Sequence, residues 1–118
     1  MTLALEAGRI VLVDWRDALP KEANRRRPAV VVEDSLLFDP AWPNAILVPL
    51  TDDARLAIAD LAVPIAPSPE NGCTKPCFAL AHHVTATAKV RMTPTACRLT
   101  DAQPAAIRAR IGIALGLA

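Results

Sequence analysis

Pro28-Ala29-Val30-Val31-Val32-Glu33 decides the fold class of this 118-residue chain. Three consecutive valines are stiff at χ1, a cost in a helix and an advantage on a pleated strand. A valine run that does not alternate with polar residues predicts a strand buried on both faces or nearly so. The same composition recurs on either side. Gly8–Trp15 holds Ile10-Val11-Leu12-Val13 and predicts a preceding strand, with the polar stretch 16–27 as the loop between.

Downstream, residues 34–43 carry two prolines and read as a loop before a third strand, Ala45–Leu50. Thr51–Ala59 is a charged connection with room for a helical turn, and Leu61–Ala66 is a fourth strand. Pro67–Pro76, with three prolines and a glycine, is a loop. Phe78–Ala81 reads as a fifth strand. Val84–Met92 reads as a sixth, with Val84, Ala86, Ala88 and Val90 inward and Thr85, Thr87, Lys89 and Arg91 on a basic outer face. His82-His83 would mark a bend between these two.

The period changes near the C-terminus. Thr100 followed by Gln103 has the form of a capping box, and Pro104 falls in the first turn of the helix it predicts. Ile107, Ile111, Ala114 and Leu115 then recur at helical spacing, with Arg108 and Arg110 on the polar side. Five or six short antiparallel strands, long loops and one C-terminal helix predict a mainly β fold, a small and strongly bent barrel; the pattern alone is equally compatible with a sandwich. The length fits one domain, residues 1–118.

Composition narrows the function classes. Although 53% of residues are hydrophobic, no apolar run approaches membrane-spanning length, and the first six residues do not form a secretory signal, so a cytoplasmic location is expected. The net charge of +1 does not mark a nucleic-acid binder as a whole, yet Arg25-Arg26-Arg27 and the Lys89/Arg91 pair are local basic patches. Two Trp, two Phe and no Tyr exclude an aromatic platform as the main means of holding bases. Cys73, Cys77 and Cys97 are an odd number of thiols, read as reduced and apolar. Together with His82 or His83 they fit none of the common zinc spacings, and no metal or cofactor is expected.

Three stretches in this order carry a resemblance. They are Gly8-Arg9-Ile10-Val11-Leu12-Val13-Asp14-Trp15; Glu22 followed by Arg26-Arg27-Pro28-Ala29-Val30-Val31-Val32; and Ile46-Leu47-Val48-Pro49-Leu50-Thr51. They are similar to the opening strand, the acidic loop with its Arg-Pro strand, and the Val-Pro-(apolar)-Thr strand end of the MazF/PemK toxins. Asn71-Gly72-Cys73-Thr74-Lys75-Pro76 resembles that family's glycine loop, and His83-Val84-Thr85-Ala86 with Arg91-Met92 resembles a later segment. The resemblance covers nearly the whole chain. It implies an SH3-like, CcdB/PemK-like barrel with a C-terminal helix, a homodimer, metal-independent cleavage of single-stranded RNA and silencing by a cognate antitoxin.

Transesterification of RNA needs a base for the 2′-OH, a cation for the charge growing on phosphorus and an acid for the leaving 5′-oxygen. Arg27 stands at the Arg-Pro position that the family uses in catalysis, and a guanidinium suits a crowded phosphate. Thr51 offers a hydroxyl to a phosphate oxygen, or caps the turn beside Asp52 and Asp53. Glu22 is a candidate base or a brace for Arg27. His82 stands where some relatives carry an acidic residue and is a second candidate base. Arg25, Arg26, His83, Thr85, Lys89 and Arg91 are candidate RNA contacts, although Thr85 replaces an arginine of many relatives and Lys21 replaces a small residue or histidine. Two other readings compete with the nuclease: a toxin of the same fold that binds a protein such as a topoisomerase, and a silent binding module.

Overall fold

The computed structural model describes residues 5–15, 26–100 and 102–117. Within them the chain forms β1 (Arg9–Asp14), β2 (Arg26–Val31), β3 (Asn44–Thr51), β4 (Ala62–Ile65), β5 (Cys77–Leu80), β6 (Thr85–Ala88), β7 (Met92–Arg98) and α1 (Gln103–Ala114). The fold is mainly β with one C-terminal helix, as the sequence predicts, but the described strands number seven rather than five or six. Their order is β4-β5-β3-β2-β1-β7, with β6 also on β3, and every pairing is antiparallel.

β3 makes the sheet curl. One edge takes β2; the other takes β5 at Leu50 and Thr51 and β6 along Asn44–Leu47. A 3-10 turn at Ala81–His83 carries the chain from one half of that edge to the other.

The valine run is buried on both faces. Val30 and Val32 enter one cluster with Ile10, Val48, Leu50, Ile65 and Ile107. Ala29 and Val31 enter a second with Val11, Val13, Ala45, Leu47 and Met92. A one-residue slip of β2 would exchange the two sets, so these clusters fix its register.

Four local expectations are corrected. Arg26 and Arg27 belong to β2, not to the preceding loop, because the β1 ladder extends to Val13↔Arg27 and Asp14↔Arg26. The predicted strand Val84–Met92 ends at Ala88, where a 3-10 turn at Lys89–Arg91 resets the side-chain period. Val90, within that turn, is 92% exposed, while the β3 register sets Thr87 opposite the buried Ala45 and turns it inward. β7 was not predicted: Pro94 breaks its apolar pattern, and the strand tolerates a proline because it lies at the sheet edge. Finally, α1 starts after Ala102, so Thr100 is not its cap; only the Gln103 side chain reaches back, accepting the Thr100 N–H at 3.4 Å.

α1 docks through Ala106, Ile107 and Ile111. Ile107 is fully buried and Ala106 and Ile111 pack against the first cluster, whereas Leu115 is exposed. Arg108, expected on the polar side, donates from Nε to the Val32 carbonyl at 3.1 Å and from Nη2 to the Glu33 carbonyl at 3.4 Å. The buried Glu33 carboxylate accepts the Ile46 N–H at 2.9 Å, so a side chain extends the β2–β3 pairing past Val31.

The loop before β5 is organised by one buried amide. Asn71 Oδ1 accepts the N–H groups of Ser68 (3.0 Å) and Cys73 (2.9 Å), and Nδ2 donates to the Ala66 carbonyl at 2.9 Å. Gly72 follows at φ +65°, and a Cβ there would lie 2.6 Å from Cys97 Sγ. Both side-chain freedom and space are excluded at that position.

Two substitutions test this packing. Ile107→Ala should cost about 2–5 kcal/mol in equilibrium denaturation; a cost near zero would mean that the helix contributes little to the core. Asn71→Ala leaves three backbone groups to find other partners and should cost about 1–3 kcal/mol; stability equal to the parent would show that the loop is held by something else.

Candidate active site

The β2–β3 ladder pairs Val31 with Leu47, Val30 with Val48 and Ala29 with Pro49. Carried two residues further, the same register sets Arg27 opposite Thr51. Both residues line an open cleft of about 790 Å³. Ile10 and Leu12 of β1, Pro28 of β2 and Leu50 of β3 contribute an apolar wall. The segment 71–75, with Cys77 and Cys97, closes the opposite side.

Thr51 Oγ1 accepts the Asp53 N–H at 3.1 Å, which realises the turn-capping role and also fixes the hydroxyl. Its O–H remains a donor for a ligand oxygen. Asp53 is engaged in turn: Oδ1 accepts both the backbone N–H and Nε of Arg55 at 3.0 Å, and Oδ2 accepts Nη2 at 3.0 Å. The Arg55 hydrogen bonds hold the Asp53 carboxyl below its ordinary pKa.

Across the mouth, Lys75 Nζ lies 2.6 Å from Asp52 Oδ2. Their hydrogen bond and mutual charge lower the Asp52 pKa and raise that of Lys75, so both stay ionised near neutrality. The cleft lining thus carries two cations, Arg27 and Lys75, and two carboxylates, Asp52 and Asp53, with Asp52 against Lys75 and Asp53 against Arg55. A phosphate in this cleft would meet these charges together with the Thr51 hydroxyl, and would compete with Asp52 for Lys75.

The other sequence-predicted residues are elsewhere or outside the description. Glu22 and Arg25 lie outside the described residues, as does Lys21. Arg26 is exposed and its Nη1 donates to Thr93 Oγ1 at 3.5 Å. His82 and His83 sit in a 3-10 turn, at the bend that the sequence predicts between the fifth and sixth strands, and their rings meet edge to face at 4.3 Å. His82 Nδ1 is buried and has no partner among the described residues, and burial followed by the His83 charge lowers its pKa. Neither imidazole lines the cleft, nor do Thr85, Lys89 or Arg91. Lys89 is used structurally, donating to the Pro40 carbonyl at 3.0 Å.

Lys75, Asn71 and the three cysteines were missed as parts of the site. The signal available was the Asn71-Gly72 pair three residues after Ser68, a pattern for an amide-capped turn. The position of that turn beside Arg27 follows only from β5 pairing with the end of β3. Among the described residues no three His, Cys, Asp or Glu side chains lie close enough to hold a metal ion. No helix among them is long and apolar enough to cross a membrane.

Comparison with known proteins gives the fold and the family. Mycobacterium tuberculosis toxin MazF-mt6 superposes with a TM-score of 0.72 at 17% identity, covering 93% of this chain and 98% of that one. An endoribonuclease from a mycobacterial species, solved with its cognate antitoxin, gives 0.74 at 18% identity and covers 98% of both chains. MazF from Deinococcus radiodurans gives 0.72 at 21% identity, covering 94% of this chain and 96% of that one. No curated protein matches the chain by sequence. The sequence profile of the PemK-like, MazF-like toxins of type II toxin-antitoxin systems matches residues 6–115, and the chain belongs to that family.

Proposed function

We propose that this chain is a metal-independent endoribonuclease toxin that cleaves single-stranded mRNA by 2′-OH transesterification. The observation that carries the reading is that Arg27 and Thr51, far apart in sequence, line one cleft. The 2′-oxygen attacks the adjacent phosphorus, the bond to the 5′-oxygen breaks, and a 2′,3′-cyclic phosphate and a 5′-hydroxyl remain. Arg27 stabilises the charge that grows on the phosphate oxygens, and the Thr51 hydroxyl donates to one of them. Lys75 is released from Asp52 as the phosphate arrives.

Of the two bases offered by the sequence, His82 stands outside the cleft, which favours Glu22. Arg25 and Arg26 precede Arg27 along the chain and suit flanking phosphates. His83, Thr85, Lys89 and Arg91 do not line the cleft, and no RNA contact is assigned to them here. The chain is proposed to work as one domain in a cytoplasmic homodimer. Its proposed partner is a cognate antitoxin that lays an acidic or apolar segment over the cleft, and antitoxin complexes of two similar structures support that partner.

Incubation with single-stranded RNA in EDTA should yield 2′,3′-cyclic phosphate ends. Arg27→Ala should lower the cleavage rate about 10²–10³-fold, the scale for removing a preorganised charge stabiliser. Thr51→Ala should lower it about 10–100-fold, the scale of one hydrogen bond to a charged group. Undiminished cleavage by Arg27→Ala, or strict dependence on a divalent ion, would overturn the mechanism. Growth arrest without any RNA cleavage would favour the protein-binding toxin.

A further inference from the structure

The cleft wall carries chemistry that the proposed reaction does not use. Cys73 Sγ and Cys77 Sγ are 3.8 Å apart, and Cys97 Sγ lies against Gly72. All three line the cleft, and all three are free thiols. The short sulfur–sulfur approach is held on the Cys73 side by the Asn71 amide, which fixes the Cys73 N–H, and on the Cys77 side by the β5 ladder with β4 and β3.

We infer that Cys73 and Cys77 are a redox-active dithiol, a modification site that takes a low-molecular-weight disulfide as its oxidant. Cys73 is the half-exposed partner and meets the oxidant. Its sulfur, after losing its proton, attacks one sulfur of the small disulfide; a mixed disulfide forms and one small thiol leaves. Cys77 then loses its proton to solvent and attacks the Cys73 sulfur, expelling the second small thiol. Two protein thiols are oxidised to one disulfide, and the small disulfide is reduced to two thiols. The sulfurs, 3.8 Å apart, need to close to about 2.05 Å for the bond to form.

The surroundings suit that order. Cys77 is buried, and burial together with the neighbouring Cys73 pushes its pKa up to about 12. It is thereby shielded from solvent oxidants. The part of the rise owed to Cys73 disappears once Cys73 is in a mixed disulfide, so the second attack is favoured only after the first. The product closes the ring Cys73-Thr74-Lys75-Pro76-Cys77. Lys75, ion-paired to Asp52 across the mouth, lies inside that ring. Oxidation therefore couples to the cleft, a consequence that rests on the proposed nuclease reading.

The test equilibrates the full chain and its Cys97→Ser variant in mixtures of reduced and oxidised glutathione, with intact mass and peptide mapping as readouts. Both proteins should show one internal disulfide linking Cys73 to Cys77, at a midpoint that does not vary with protein concentration. A variant that keeps both thiols, stops at a glutathione adduct or links two chains would overturn the inference, as would a bond to Cys97 in the parent. RNA cleavage by the crosslinked protein should differ at least threefold from that of the reduced protein and return with dithiothreitol; equal rates would overturn the coupling. Absence of cleavage by the reduced protein would count against the nuclease reading alone, because the crosslink is read by mass.

Discussion

The register between β2 and β3 is the constraint on which the rest depends. It is set by burial rather than by any polar contact. Val30 and Val32 pack into one cluster and Ala29 and Val31 into the other, and β3 answers with Val48 and Leu50 on one side and Ala45 and Leu47 on the other. Because strand side chains alternate, no shift by one residue preserves both sets. The ladder runs to Ala29 opposite Pro49, and two residues beyond it Arg27 and Thr51 line the same cleft. Glu33 and Arg108 secure the far end of the same pair, tying it to Ile46 and to α1. The phosphate site proposed above would be preorganised by this ladder, so that little reorganisation would be needed when charge develops.

The cleft combines rigid and labile parts. Arg27 and Thr51 are placed by strands, whereas Lys75 comes from a loop that one amide organises. Its ion pair with Asp52 is exposed at both partners, so it contributes little to stability and exchanges readily with an entering anion. Cys73 lies in the same loop and Cys77 opens β5 directly after it, so the thiol pair brackets Lys75 in the chain.

Much of the fold was legible in the sequence. Unbroken valines announced a doubly buried strand, β-branched runs marked β1 and β3, and proline-rich stretches marked loops. The failures have local causes. The Arg26-Arg27 pair looks like loop because polarity hides its backbone pairing with Val13 and Asp14. β7 is hidden by Pro94, and the predicted sixth strand runs too long because the turn at Lys89–Arg91 interrupts an otherwise plausible alternation. Of the cleft lining, Arg27 and Thr51 were named from motifs, while the approach of Lys75 and Cys77 depends on β5 meeting the end of β3, a long-range pairing that no local pattern encodes. The histidines illustrate the reverse case. Their residue type suggested acid-base chemistry, but a 3-10 turn places them against each other and outside the cleft.

The most direct measurement is a structure of the protein with a short single-stranded RNA whose 2′-hydroxyl at the cleavage step is replaced by hydrogen. The account predicts one phosphate within hydrogen-bond reach of both the Arg27 guanidinium and the Thr51 hydroxyl, with Lys75 moved off Asp52. A bound RNA whose phosphates reach neither group, with Lys75 still on Asp52, would contradict it.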